Sequence, residues 1–72
     1  MSQQILSELV AGVAAVHVTV GQKVQAGTEV ALLESMKMEI PVLAEADGTV
    51  EAVHVAPGDV VQEGDSLVVL SD

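Results

Sequence analysis

Amine chemistry in this sequence has two side-chain candidates. Lys23 and Lys37 are the only lysines or arginines among 72 residues, against eleven carboxylates. Lys37 lies in Leu32-Leu33-Glu34-Ser35-Met36-Lys37-Met38-Glu39-Ile40-Pro41, which joins two apolar segments with few residues to spare. The chain must therefore reverse tightly at Met36-Lys37. Tight hairpins favour Asn-Gly, Asp-Gly or another Gly where φ has to be positive, and none of these stands at this tip. Met36 and Met38 beside a surface turn also offer soft, adaptable apolar groups of the kind that binding partners grip. Local rules broken without local gain often mark functional positions. On turn chemistry alone, this reading stands level with a plainer one, a surface lysine whose two Met side chains fold back onto the core. Lys23 has no flanking Met.

The other reactive groups point to less. His17 and His54 alternate with valines and fall on the polar side of their segments, where a surface role is the default. There is no Cys, so thiolate chemistry, disulfides and Cys-type metal sites are excluded. Asp59, Glu63 and Asp65 are scattered through turns without Ca²⁺-loop spacing. No glycine loop opens a helix, and no Ser/His/Asp arrangement stands out. The sequence thus predicts no metal site and no catalytic residue.

The elements that must position Lys37 follow from an internal repeat. Ala15 to Gly27 aligns with Ala52 to Gly64 at an offset of 37, with eight identities in thirteen pairs. Gly21 matches Gly58 and Gly27 matches Gly64, at turn positions, and Val60 takes the place of Lys23. Val13 to Val20 reads as a strand with Val16, Val18 and Val20 on one face. A turn at Gly21-Gln22, a short strand around Val24, a turn at residues 26–28 and an apolar strand from Val30 to Glu34 complete the first copy. The second runs from Thr49 to Ala56, turns at Pro57-Gly58 and closes at Leu70. Asp47-Gly48 between the copies reads as a hairpin. No segment carries a capped helical stripe.

The sequence therefore predicts an all-β fold of eight short strands, four per repeat, with repeats at about 13–35 and 50–72 in a single domain covering 1–72. The expected architecture is a flattened barrel or sandwich of two four-stranded antiparallel sheets with internal two-fold pseudo-symmetry. The offset carries Lys37 just past the chain ends, so its hairpin and the termini are expected at opposite ends of the domain. The core has to be Val, Leu, Ile, Ala and Met, since aromatic residues are absent.

Glu34-Ser35-Met36-Lys37-Met38, at mid-chain between the two copies, resembles the Ala-Met-Lys-Met biotinylation motif of biotinyl domains. With the repeat and the glycine spacing, the resemblance covers nearly the whole chain. It is to the small free-standing biotin/lipoyl attachment proteins, relatives of the carrier domains of biotin-dependent carboxylases, and it implies the barrel-sandwich hybrid fold. Ser35 replaces the usual Ala. Val10-Ala11-Gly12 stands where a Pro-Gly turn is often seen, and the inserted "thumb" of some acetyl-CoA carboxylase carriers has no counterpart.

The resemblance implies that biotin is attached covalently to Lys37 and that a biotin protein ligase reads Met36, Met38, Ser35 and Glu34. The modified domain would then serve as a biotin carboxyl carrier between biotin carboxylase and carboxyltransferase subunits, with no catalysis of its own. The lipoyl domain shares the fold, but its usual motif is Asp-Lys-Ala, so Met on both sides favours biotin. A lipoyl carrier, or an unmodified β-barrel interaction module, is the alternative. A net charge of −9 argues against nucleic acid and anionic membranes as partners. The apolar run from Leu9 to Val20 has no preceding basic residue and is too short to span a bilayer, so no signal peptide is expected. A cytoplasmic monomer is the expected form.

Overall fold

The computed structural model describes residues 2–71. Within it lie eight strands: β1 (Ser2–Leu6), β2 (Ala11–Val16), β3 (Lys23–Val24), β4 (Glu29–Ser35), β5 (Met38–Leu43), β6 (Gly48–Val53), β7 (Val60–Val61) and β8 (Ser66–Ser71). They form two four-stranded antiparallel sheets, ordered β1-β8-β6-β3 and β5-β4-β2-β7. The 37-residue offset carries β2, β3 and β4 onto β6, β7 and β8, and β1 onto β5, so it turns one sheet into the other. Each sheet takes two strands from each half of the chain, and neither half can form a sheet of this kind alone.

Burial explains why these segments are strands. Val30, Leu33, Val50, Leu67, Val68 and Leu70 lie between the sheets with essentially no exposure. In β4, Val30, Ala31 and Leu33 face inward while Glu29 and Glu34 are exposed. Bulges at equivalent places, between Val13 and Ala15 in β2 and between Val50 and Ala52 in β6, add local twist, which lets flat sheets curl around a shared core.

Four turns of one design close the ends. The N–H of Gln22, Thr28, Asp59 and Asp65 each donates to the carbonyl three residues back, at 3.0–3.1 Å. The same residue's side-chain oxygen accepts the N–H of the turn's first residue in every case. The third residue is Gly21, Gly27, Gly58 or Gly64, each at φ between 91° and 96°. That conformation is strained for any L side chain, which explains the paired glycines of the repeat.

Three details differ from the expectations. The first long strand ends at Val16 and its counterpart at Val53, so alternation fails beyond them: Val18 is buried but Val20 is 66% exposed. The polar segment Ser2–Leu6 is a strand with only Ile5 buried, and pairing with β8 makes it one. Asp47-Gly48 does not form a hairpin. β5 and β6 belong to different sheets, and the dipeptide serves a crossing between them. Asp47 Oδ1 accepts the Ala26 N–H at 2.8 Å. Gly48 opens β6 where a Cβ would lie 2.6 Å from the Ser71 carbonyl oxygen. Gly48→Ala is therefore expected to cost about 1–3 kcal/mol of stability through overpacking. Gly12→Ala, whose Cβ would meet only ordinary contacts at 3.9 and 4.0 Å, should be near neutral. Paired thermal melts of the two variants check this.

Candidate functional site: the β4–β5 hairpin

The hairpin is rooted in the core and ends in a strained tip. β4 lies between β5 and β2, and Leu33, opposite Ile40, anchors it from within. Pairing runs to Ser35 opposite Met38, leaving Met36 and Lys37 as a two-residue loop. Their φ values are +52° and +65°, and they are the only non-glycine residues with positive φ among those described. Two successive positive φ angles define the tight turn whose twist matches an antiparallel pair, and this turn ordinarily takes Asn-Gly. A side chain in this region costs on the order of 1 kcal/mol or more per residue.

The surroundings add further costs. Met36 is 93% exposed and Met38 63%, so the reading in which both fold back onto the core does not hold. Glu34 and Glu39 are both exposed and directly opposite each other, an arrangement in which like charges destabilise a strand pair. Among the described residues, no hydrogen bond or ion pair is recorded for the Lys37 amine. The structure thus brings Glu34, Ser35, Met36, Lys37 and Met38 to one projecting point with the amine exposed. An exposed primary amine is a group that can be acylated.

A family of known proteins described as "Biotin-requiring enzyme", the biotin/lipoyl family, matches residues 4–70 of this sequence. The chain belongs to this family. The biotin/lipoyl attachment protein of Bacillus subtilis is 58% identical over 33 residues, which are 46% of this chain and 45% of that protein. The biotinylated protein TB7.3 of Mycobacterium tuberculosis is 54% identical over 44 residues, 61% of this chain and 62% of its own. The match thus spans less than two thirds of either relative. Among solved structures, the chain is similar to a segment of the Kluyveromyces lactis urea carboxylase, with TM-score 0.91 and 31% identity over 99% of this chain and 6% of the enzyme. It is also similar to the lipoyl domain of the Azotobacter vinelandii 2-oxoglutarate dehydrogenase complex, with TM-score 0.75 and 32% identity over 88% of this chain and 80% of that domain. The chain thus shares its fold with a segment of a carboxylase and with a lipoyl domain.

The remaining candidates lie elsewhere. His17 follows β2 directly rather than sitting within a strand, because the strand stops at Val16. Its Nε2 lies 2.7 Å from Glu29 Oε2, both side chains being 41% exposed, and a pair so exposed contributes little. At the equivalent place in the other half, Ser66 stands for Glu29, and its buried Oγ has no hydrogen-bond partner among the described residues. Lys23 starts β3 opposite Thr49, in the sheet that does not contain the β4–β5 hairpin. Among the described residues, no three His, Asp or Glu side chains gather as metal ligands.

The sequence reading missed a groove of about 270 Å³ beside the tip. Gly12 and Ala14 of β2 line it, with Glu34, Ser35, Met36 and Lys37 on one side and Asp59 and Val60 on the other. The signal that could have found it is the repeat, read for its mismatches instead of its identities.

Proposed function

We propose that Lys37 is the acceptor to which a biotin protein ligase joins biotin. On this reading the modified domain carries carboxyl groups between a biotin carboxylase and a carboxyltransferase. The observation that carries the proposal is the two-residue turn with two non-glycine residues at positive φ and a fully exposed Met36 beside the lysine. Nothing within the domain gains from that turn, so a partner must. Met36 and Met38 on both sides of Lys37 favour biotin over lipoate, as do relatives that are themselves described as biotinylated.

The residues fit this group. The ligase has to accept a proton from the amine for it to act as a nucleophile. The freed amine attacks the carbonyl of biotinyl-adenylate. A C–N bond forms, the bond to the phosphate oxygen breaks and AMP leaves. Met36 and Met38 supply the apolar contacts for recognition, and Ser35 and Glu34 the polar ones. When bound, biotin supplies a ureido nitrogen that takes up and gives up a carboxyl group. The domain contributes tether, concentration and docking, while catalysis belongs to the partners. A monomer working in the cytoplasm suits this role.

Co-expression with a biotin protein ligase tests the proposal. Intact mass spectrometry is expected to show one biotin per chain, and peptide mapping to place it on Lys37. A lipoyl adduct would move the assignment to the second carrier class, and an unmodified chain would support a plain interaction module. Lys23→Arg is expected to leave incorporation unchanged.

A further inference from the structure

Sulfur is confined to one place among the described residues. Between residues 2 and 71 the only sulfur atoms are those of Met36 and Met38. Methionine is ordinarily a gap-filler of apolar cores, because its unbranched side chain adapts to irregular spaces. Here the buried cluster is Ile, Val, Leu and Ala, with no Met in it. Both methionines stand instead on either side of Lys37, Met36 93% exposed and Met38 63%.

The backbone keeps them there. Pairing continues to Ser35 opposite Met38, so a loop of two residues leaves Met36 no slack with which to reach the core. An aliphatic side chain in either place would offer a partner similar apolar contact. What a thioether adds is a second chemical state. A peroxide converts it to the sulfoxide, which is polar and chiral and is turned back by reductases. The chain has no Cys, so no thiolate within it intercepts the oxidant.

We propose that Met36 and Met38 are a reversible oxidation site whose sulfoxide form closes Lys37 to its ligase. This rests on the attachment reading above and adds a modification that governs whether attachment occurs. The step is an oxygen transfer from a hydroperoxide. A sulfur lone pair attacks one peroxide oxygen, the S–O bond forms and the O–O bond breaks. The other oxygen departs, with a proton, as water or an alcohol. The sulfur loses two electrons and the peroxide gains them. Met36, the more exposed of the two, is oxidised first. Repair uses two thiols of a reductase, which take the oxygen off as water and become a disulfide. The sulfoxide oxygen is a strong hydrogen-bond acceptor. Carried into apolar contacts that read the tip, it sheds its water with no donor to replace it, which slows recognition by roughly tenfold or more. The acceptor amine itself is unchanged. Since both side chains are exposed, oxidation leaves the core packing as it was.

Hydrogen peroxide treatment of the unbiotinylated chain, with the oxidant removed before ligase, biotin and ATP are added, tests this. Peptide mapping by mass spectrometry is expected to place the first oxygen on Met36 and the second on Met38, with Met1 scored separately. Biotin incorporation should slow by roughly tenfold or more, while the melting temperature stays that of the untreated chain. Methionine sulfoxide reductases should restore both mass and rate. In Met36→Leu combined with Met38→Leu, which retains Met1, treated and untreated rates should be equal, whatever the variant's own rate. Incorporation at the natural rate by the doubly oxidised chain would overturn the oxidation site. So would a loss of rate that accompanies a lowered melting temperature, that reductases fail to reverse, or that recurs in the double variant. An untreated chain that gains no biotin mass would instead remove the attachment reading, which does not depend on the sulfoxide.

Discussion

Combining Met36→Asn with Lys37→Gly is expected to make the chain more stable by about 2 kcal/mol and to abolish biotin incorporation. Both substituted positions hold positive φ angles, +52° and +65°, and Asn-Gly is the pair this turn ordinarily takes. In a domain this small, such a gain raises the melting temperature by roughly 10 °C. Far-ultraviolet circular dichroism is the appropriate probe, since the chain has no aromatic residue to report unfolding. Met36→Asn alone separates strain from chemistry. It retains the acceptor amine, should keep about half of the stability gain, and should be modified more slowly because one of the two apolar contacts is gone. An unchanged or lowered melting temperature in the double variant would mean that the tip is not strained. Uptake at the natural rate by Met36→Asn would remove Met36 from recognition.

Much of this was legible in the sequence, for a specific reason. A hairpin is read from the strands that enter and leave it, and Leu32-Leu33 and Ile40-Pro41 leave no room for a longer loop at Met36-Lys37. The positive-φ glycines were legible because each occurs twice at one offset. β1 was not legible, since Ser2, Gln3 and Gln4 are exposed and only the partner strand β8 holds them extended. Asp47-Gly48 misled because a strong turn signal reports a local preference, while the sheet to which the next strand belongs is settled by the core. There Val50 packs with Leu67, Val68 and Leu70 in one buried cluster. The groove was hidden for a further reason. A missing side chain leaves no pattern in hydropathy, and Gly12 became informative only when the structure set it in register with Glu34 and Val60.

The exchange of strands between sheets leads to a second large effect. Leu33 and Leu70 are equivalent under the two-fold, each 1% exposed, and each on a strand with neighbours on both sides. Truncating a fully buried leucine costs about 2–5 kcal/mol through lost burial and the cavity left behind. A chain of 72 residues has a total stability of roughly 4–11 kcal/mol on the usual per-residue scale. Leu33→Ala and Leu70→Ala should therefore each lower the melting temperature by more than about 10 °C, and by similar amounts. The equality is the sharper expectation. Leu33 sits in the hairpin that carries Lys37, whereas Leu70 lies in the sheet related to it by the two-fold. If the hairpin were an independent unit, Leu33→Ala would loosen the tip and spare the rest. With β1 and β3 of the first half built into the sheet of β6 and β8, loss at either site must propagate through both sheets. Hydrogen exchange is then expected to show protection falling across β4 and β8 together in both variants. Loss of protection confined to β4 and β5 in Leu33→Ala would show that the hairpin opens on its own, and that the strained tip is held by local pairing rather than by the whole fold.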